Sequence, residues 1–315
     1  MIATKIARQL LRGVRDRRRV DRGVRILTYH GVVESYVDRR VDESFHLLRD
    51  FRAHLAILRR CNVVPLAELA SSLSARSILP RVAITFDDGF RNNTIAAELL
   101  HAAKLPATFF IATANVERHE PIWPTLLRLV LARGSARTLE LAGVRYELDA
   151  QPEIAATIRI AFKGSSADVR KRLWLELVGQ LRAGELDELI AQFPAIEMMS
   201  WSDVRALASS GFEIGSHGAW HELHHAAQPR ETRQTELATS KRQIEDQVGR
   251  APERFAYPNG TFTDASPDDL RAEGYLAGFT MVSRAANHAD DPMRLPRIVP
   301  GAGVEKMISA LVFGN

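Results

Sequence analysis

Cysteine is almost missing from this chain: one thiol, Cys61, stands in 315 residues. One thiol cannot close a disulfide within the chain, and it excludes a cysteine-rich zinc module. Cys61 is expected to serve as a small buried apolar residue. No apolar run approaches the ~20 residues that a membrane-spanning helix needs. Internal repeats and low-complexity tracts are lacking too. With 46% hydrophobic and 25% charged residues the composition is that of a globular protein. Length leaves open one large α/β domain or two ordinary ones.

Charge is spread unevenly. Residues 1–25 hold nine basic side chains against Asp16 and Asp21, while the whole chain is only +4, so the remainder is slightly acidic. The basic excess belongs to an arm, which argues against a nucleic-acid-binding body. Within it Ala3, Ile6, Ala7, Leu10 and Val14 share one helical face, with Lys5, Arg8, Arg12 and Arg15 mostly off it. Such a basic amphipathic helix suits an anionic membrane surface, or docks its apolar stripe on its own domain. The arm lacks the uninterrupted apolar core and small-residue cleavage site of a secretory signal. The expectation is a cytoplasmic protein touching the inner membrane face peripherally through residues 1–22.

Beyond the arm, predicted strands alternate with predicted helices. Strands are expected at 24–30, 63–64, 81–86, 107–112, 212–214, 254–258, 276–280 and 298–299. Helices are expected over 44–60, from Pro65, from the glycine at 89 to about 103, and over 201–210, 229–248 and 266–273. This alternation predicts parallel βα units. Residues 118–197 depart from it: helix-like stretches at about 122–133 and 167–182 surround a strand-like 144–148, with no catalytic cluster. They read as an insertion or lid.

Two strings carry the chemistry. Thr85-Phe86-Asp87-Asp88-Gly89 puts two carboxylates at the end of an apolar strand, where barrel enzymes keep catalytic groups. Alone, Asp-Asp-Gly is more often a turn or a helix cap. Adjacent carboxylates ionise together reluctantly unless a cation sits beside them. Such a pair therefore suits a metal site, one acid binding the ion and the other free to take a proton. Ser216-His217-Gly218-Ala219-Trp220-His221 adds two imidazoles four residues apart, a spacing expected to put both rings on one side of a helical turn. His224 follows closely as an alternative second ligand, with His221 preferred. His30 closes the first strand, and imidazole suits proton donation near neutral pH. Phe255-Ala256-Tyr257-Pro258-Asn259-Gly260 ends a strand in a turn whose backbone N–H groups, at Tyr257 and Asn259, are candidates to face a developing oxyanion.

Taken in this order, these strings resemble the polysaccharide deacetylase family (carbohydrate esterase family 4). The resemblance covers about residues 24–300 apart from the insertion; the joint pattern is specific, though no piece is. It implies an α/β fold, a distorted (β/α) barrel with a mainly helical insertion at about 118–197, making one catalytic domain over 23–315. It implies removal of acetyl groups from an N-acetylated glycan, with no nucleic-acid partner and a divalent metal, usually zinc. Asp87 would then be the catalytic base, and Asp88, His217 and His221 the metal ligands. Three departures stand out. Ala256 occupies the place of the arginine that orients the base, leaving Arg254 or, preferably, Arg297 in Leu295-Pro296-Arg297-Ile298 to replace it. Asn259 replaces an aromatic. No histidine follows His288 to act as general acid, but Tyr29-His30-Gly31-Val32 resembles the N-terminal segment that supplies this acid in permuted members, which assigns the role to His30. An O-acetyl esterase on the same fold and a non-catalytic carbohydrate-binding relative are the alternative expectations.

Overall fold

The computed structural model describes residues 23–75, 79–151 and 153–313. The arm, residues 1–22, lies outside the described residues, and with it the expected membrane contact. No helix among the described residues is long and apolar enough to cross a membrane.

The strands, in chain order, are β1 Val24–Tyr29, β2 Val32–Val33, β3 His46–Leu47, β4 Asn62–Val63, β5 Arg81–Phe86, β6 Thr108–Ile111, β7 Thr138–Leu141, β8 Val144–Glu147, β9 Glu213–Ser216, β10 Arg254–Ala256 and β11 Ala277–Phe279. Seven of them make one sheet in the order β1-β5-β6-β9-β10-β11, with β4 added against β5. All its pairings are parallel. Every residue of β1 (VRILTY) and β5 (RVAITF) is buried. A strand covered on both faces carries a continuous apolar run rather than an alternating one, which is why these two segments were recognisable.

Alternate residues of each strand point to opposite faces. Val24, Ile26, Ala83, Phe110, Ala256 and Phe279 pack together in one cluster. Leu27, Ile84, Phe86, Phe109 and Ile111 pack with the helices in another. The expected strand at 298–299 is reduced to bridges. Leu295 N–H donates to Gly278 O (2.8 Å) and Leu295 O accepts from Thr280 N–H (2.8 Å), while Ile298 N–H donates to Ile26 O (2.8 Å). The segment 295–298 thus joins β11 to β1 and closes the distorted barrel.

Residues 118–197, expected as an insertion, have a core of their own, with Leu127, Val130, Leu139, Leu141, Ile158, Phe162 and Leu177 packed together. Their helices Trp123–Arg133 and Ala167–Val178 match expectation. The antiparallel partner of β8, namely β7, does not, nor do the helices Glu153–Gly164 and Glu185–Ala191. Cys61 is only partly buried, though its surroundings still raise the thiol to a pKa of about 11 through burial.

Candidate active site

The candidate catalytic groups stand at the C-terminal ends of the barrel strands, where side chains from several strands converge. Asp87 and Asp88 follow β5 directly, and Asp87 N–H donates to Tyr29 O at 2.9 Å, which sets it beside the end of β1 and hence His30. Asp88 is left-handed (φ 75°) and so is Gly89 (φ 87°). A non-glycine residue in that conformation is strained, as is common at functional sites. His217 follows β9, its N–H bonded to Ile111 O at 2.9 Å.

His217 and His221 do not lie on a helical turn, contrary to the spacing argument. The chain between them is a loop, with Gly218 at φ 79° and His221 at φ 56°. The rings nevertheless meet, their centroids 4.9 Å apart. Several neighbours hold this loop. Thr113 and Ala114 N–H groups donate to Gly218 and Ala219 O at 3.1 and 2.9 Å. Buried Glu236, from the helix Arg230–Val248, accepts from Trp220 and Glu222 N–H at 2.8 and 3.3 Å. Burial pushes its carboxyl up to a pKa of about 7, against the pull of those N–H bonds. Trp123 Nε1 donates to His221 O at 3.0 Å, so the insertion braces the same loop.

Asp88 Oδ1 lies 3.2 Å from His217 Nε2 and 3.4 Å from His221 Nε2. All three donor atoms are buried and within 4.8 Å of one another. Ligands about 2.0–2.1 Å from a tetrahedral zinc stand about 3.3 Å apart, so this donor set fits such an ion. His217 Nδ1 donates to Ala256 O at 2.7 Å, leaving Nε2 free to face the site, the outer bond usual for a ligating histidine. His224 is excluded from the group. It is buried against Phe255 and Tyr257, and burial lowers its pKa to about 3.

Asp87 is paired with Arg297, two N–H···O bonds of 2.7 Å each joining guanidinium to carboxylate. Arg297 also donates to Thr280 O (3.2 Å) and to Thr85 Oγ1 (3.3 Å), with no exposed surface. Its guanidinium lies over the Phe110 ring, 5.5 Å from the centroid, in the barrel interior where Ala256 offers only a methyl group. Arg254 instead pairs with Glu213 (2.6 Å) and Glu253 (2.9 Å). Burial works to raise the Asp87 carboxyl, but Arg297 and His217 outweigh it and hold the pKa below the usual carboxylate range. Burial acts the same way on Asp88, and its bonds to His217 and His221 carry it well below that range.

A cavity of about 430 Å³ brings together His30, Asp87, Asp88, His217, His221, Asn259 and Met281. Asn259 enters it in a left-handed conformation (φ 55°). Tyr257 does not fill the role expected of it. Its N–H is already bonded to Phe279 O at 2.9 Å, and its fully buried side chain donates to Met293 O at 3.1 Å. Asn259 alone of that pair faces the cavity. Reading the sequence missed Glu236, Trp123 and Met281. Nothing in a polar helix or an irregular loop marks such residues, although Trp123 beside a proline-started helix was a weak signal.

The polysaccharide deacetylase family model matches residues 78–147 and 177–278, more than half of the chain. No curated protein matches it. Among solved structures, the deacetylase PplD of Streptococcus pyogenes, determined in complex with acetate, is 16% identical with a TM-score of 0.61, over 92% of this chain and 98% of that one. IcaB from Ammonifex degensii is 18% identical with a TM-score of 0.60, over 94% and 98%. A de-N-acetylase from Aggregatibacter actinomycetemcomitans is 16% identical with a TM-score of 0.54, over 90% and 98%. At such identities these likenesses speak for the barrel, and the family match spans Asp87, Asp88, His217 and His221. The chain belongs to the polysaccharide deacetylase family and is a hydrolase of that kind.

Proposed function

We propose that the protein removes N-acetyl groups from an N-acetylated sugar of a polysaccharide, oligosaccharide or lipid-linked glycan, with a divalent metal as cofactor. The observation that carries this reading is the placement of an arginine-pinned carboxylate, Asp87, beside the Asp88–His217–His221 donor set in one cavity with His30. Asp88, His217 and His221 would hold the ion. When bound, zinc or a similar ion would polarise the acetyl carbonyl and bring the pKa of a water toward ~7.

The chain's own groups do the rest. Asp87, kept ionised by Arg297, takes a proton from the attacking water. The backbone N–H of Asn259, a residue that lines the cavity, would donate to the oxyanion that develops on the carbonyl. His30 protonates the sugar nitrogen as the C–N bond breaks, because an amine leaves poorly without its proton. Arg297 touches no reacting atom; it positions the base.

His30→Ala tests the acid and the bond type together. Release of acetate from N-acetylated oligosaccharides should fall by about 10²-fold or more, the usual weight of a general acid. Release from O-acetylated sugars should fall only a few-fold, since an alkoxide leaves more readily than an amide anion. Near wild-type turnover of the amide by His30→Ala would remove His30 from the mechanism. A wild-type enzyme that releases acetate only from esters would overturn the N-deacetylase reading.

A further inference from the structure

The cavity that holds the reacting groups is also lined by Arg128, Arg159 and Lys163. All three come from the insertion. Arg128 sits on the helix Trp123–Arg133, and Arg159 and Lys163 are one turn apart on the helix Glu153–Gly164. Residues at that spacing share a helix face.

Few acids answer these cations. Asp87 is matched by Arg297, and Asp88 belongs to the donor set. Glu43 reaches Arg128 alone, at 3.8 Å. Among the described residues no carboxylate comes within ion-pair distance of Arg159 or Lys163. Lys163 donates instead to the neutral Asn259 Oδ1, at 2.8 Å. Arg128 is only 18% exposed. It donates to the Ser44 and Thr125 hydroxyls at 3.4 Å, and its buried Nε has no hydrogen-bond partner. Burial, then the nearby Arg128 and Arg159, lowers the pKa of Lys163. Like charges held together repel. Here they line one mouth, Lys163 still exposed, and among the described residues Glu43, which lines the same cavity, is the one carboxylate within ion-pair distance of any of them. Moreover, Arg159 and Lys163 lie in the stretch between the two segments matched by the family model, so they are not part of the shared catalytic motifs.

We propose that Arg128, Arg159 and Lys163 form an anion subsite that binds a phosphate or carboxylate carried by the glycan close to the acetylated nitrogen. The substrate is then an acidic glycan rather than a neutral one. The identity of the group removed rests on the proposed function; the charge of the subsite does not. Guanidinium forks and an ammonium point charge both suit an oxyanion. The Lys163–Asn259 bond ties the subsite to the turn that faces the acetyl carbonyl.

Binding and turnover distinguish the two readings. Three saccharides of equal length serve as probes: a neutral N-acetylglucosamine oligomer, one with a uronic acid next to the N-acetyl sugar, and one with a phosphate ester there. Calorimetry reads binding without requiring turnover. At least one anionic probe should bind about tenfold more tightly than the neutral one, the scale of a few partly exposed charge contacts. That preference should shrink with added salt, fall to about twofold or less in Arg159→Gln/Lys163→Gln, and persist in Arg159→Lys/Lys163→Arg. The probe that responds identifies the anion as carboxylate or phosphate. Equal binding of all three probes, or a preference that survives the double glutamine variant, overturns the subsite. Selective binding with no acetate released from any N-acetylated probe upholds the subsite and overturns the N-deacetylase reading. Equal binding with acetate released does the reverse.

Discussion

Asp87→Asn should lose about 3–5 kcal/mol of stability, because the buried Arg297 is left uncompensated, while the folded protein still holds its metal and turns over about 10³-fold more slowly. An amide is isosteric with the carboxylate but cannot take a proton, and a positioned general base contributes about 10²–10⁴-fold. The donor atoms of Asp88, His217 and His221 are untouched by the change. Loss of turnover with metal retained is therefore the signature of a base, as opposed to a ligand. Acetate release and elemental content measured on one preparation check both halves. Turnover within a few-fold of wild type would show that another group takes the proton.

Arg297→Met is expected to act on both stability and catalysis. The Asp87–Arg297 pair is almost entirely removed from water, with 2% and 0% of the side chains exposed. Taking away one partner of a buried pair leaves an uncompensated charge, at a cost of about 3–5 kcal/mol. The sign with pH follows from Asp87. Its carboxyl is held below the usual range in the folded protein, so the stability it contributes is complete above the unfolded pKa and is lost as pH falls through the folded one. In Arg297→Met the largest opposing influence is gone, and burial raises the carboxyl. The stability deficit should then be greatest near neutrality and shrink on acidification, as read by urea unfolding across pH. The acid limb of kcat/KM should move to higher pH together with it. A residue that only filled space would lower stability without moving that limb. Arg297→Lys, which offers one ammonium where two parallel bonds stood, should fall between the two.

The parts of this fold that sequence discloses are those that a buried environment forces on composition. The strand at 81–86 is largely apolar and stops at Asp87-Asp88-Gly89, so its extent and the position of the carboxylates after it were legible, while the strand at 108–111 was expected one residue longer at each end. The joining of Asp87 to Arg297 was legible only as a substitution demanded by Ala256. The two residues are 210 positions apart and meet because an irregular segment closes the barrel. Tyr257 was misassigned because the sequence does not show that its N–H is already bonded across to β11. The histidine pair was found for an incorrect reason. Four-residue spacing suggested a helical turn, whereas a left-handed loop held by Glu236 and Trp123 brings the rings together. Glu236, Arg159 and Lys163 lie on helices whose charges look like a solvated face; only tertiary placement shows Glu236 buried against the histidine loop and Arg159 and Lys163 lining the cavity. Within residues 118–197, β7 is short but alternates cleanly between exposed and buried positions, and the helix Glu153–Gly164 is clearly amphipathic, so both were open to detection in the sequence and were missed.

Central to the proposed reaction is a single ion shared by an acid after β5 and two imidazoles after β9. Elemental analysis of purified wild type, Asp88→Ala and His217→Ala, paired with chelator-sensitive acetate release, tests this most directly. About one divalent ion per wild-type chain is expected for a three-ligand site with an open position, with activity lost to chelator and restored by zinc, and little metal or activity in either variant. A full equivalent of metal retained by both variants, or acetate release by the wild type that no chelator suppresses, would contradict it.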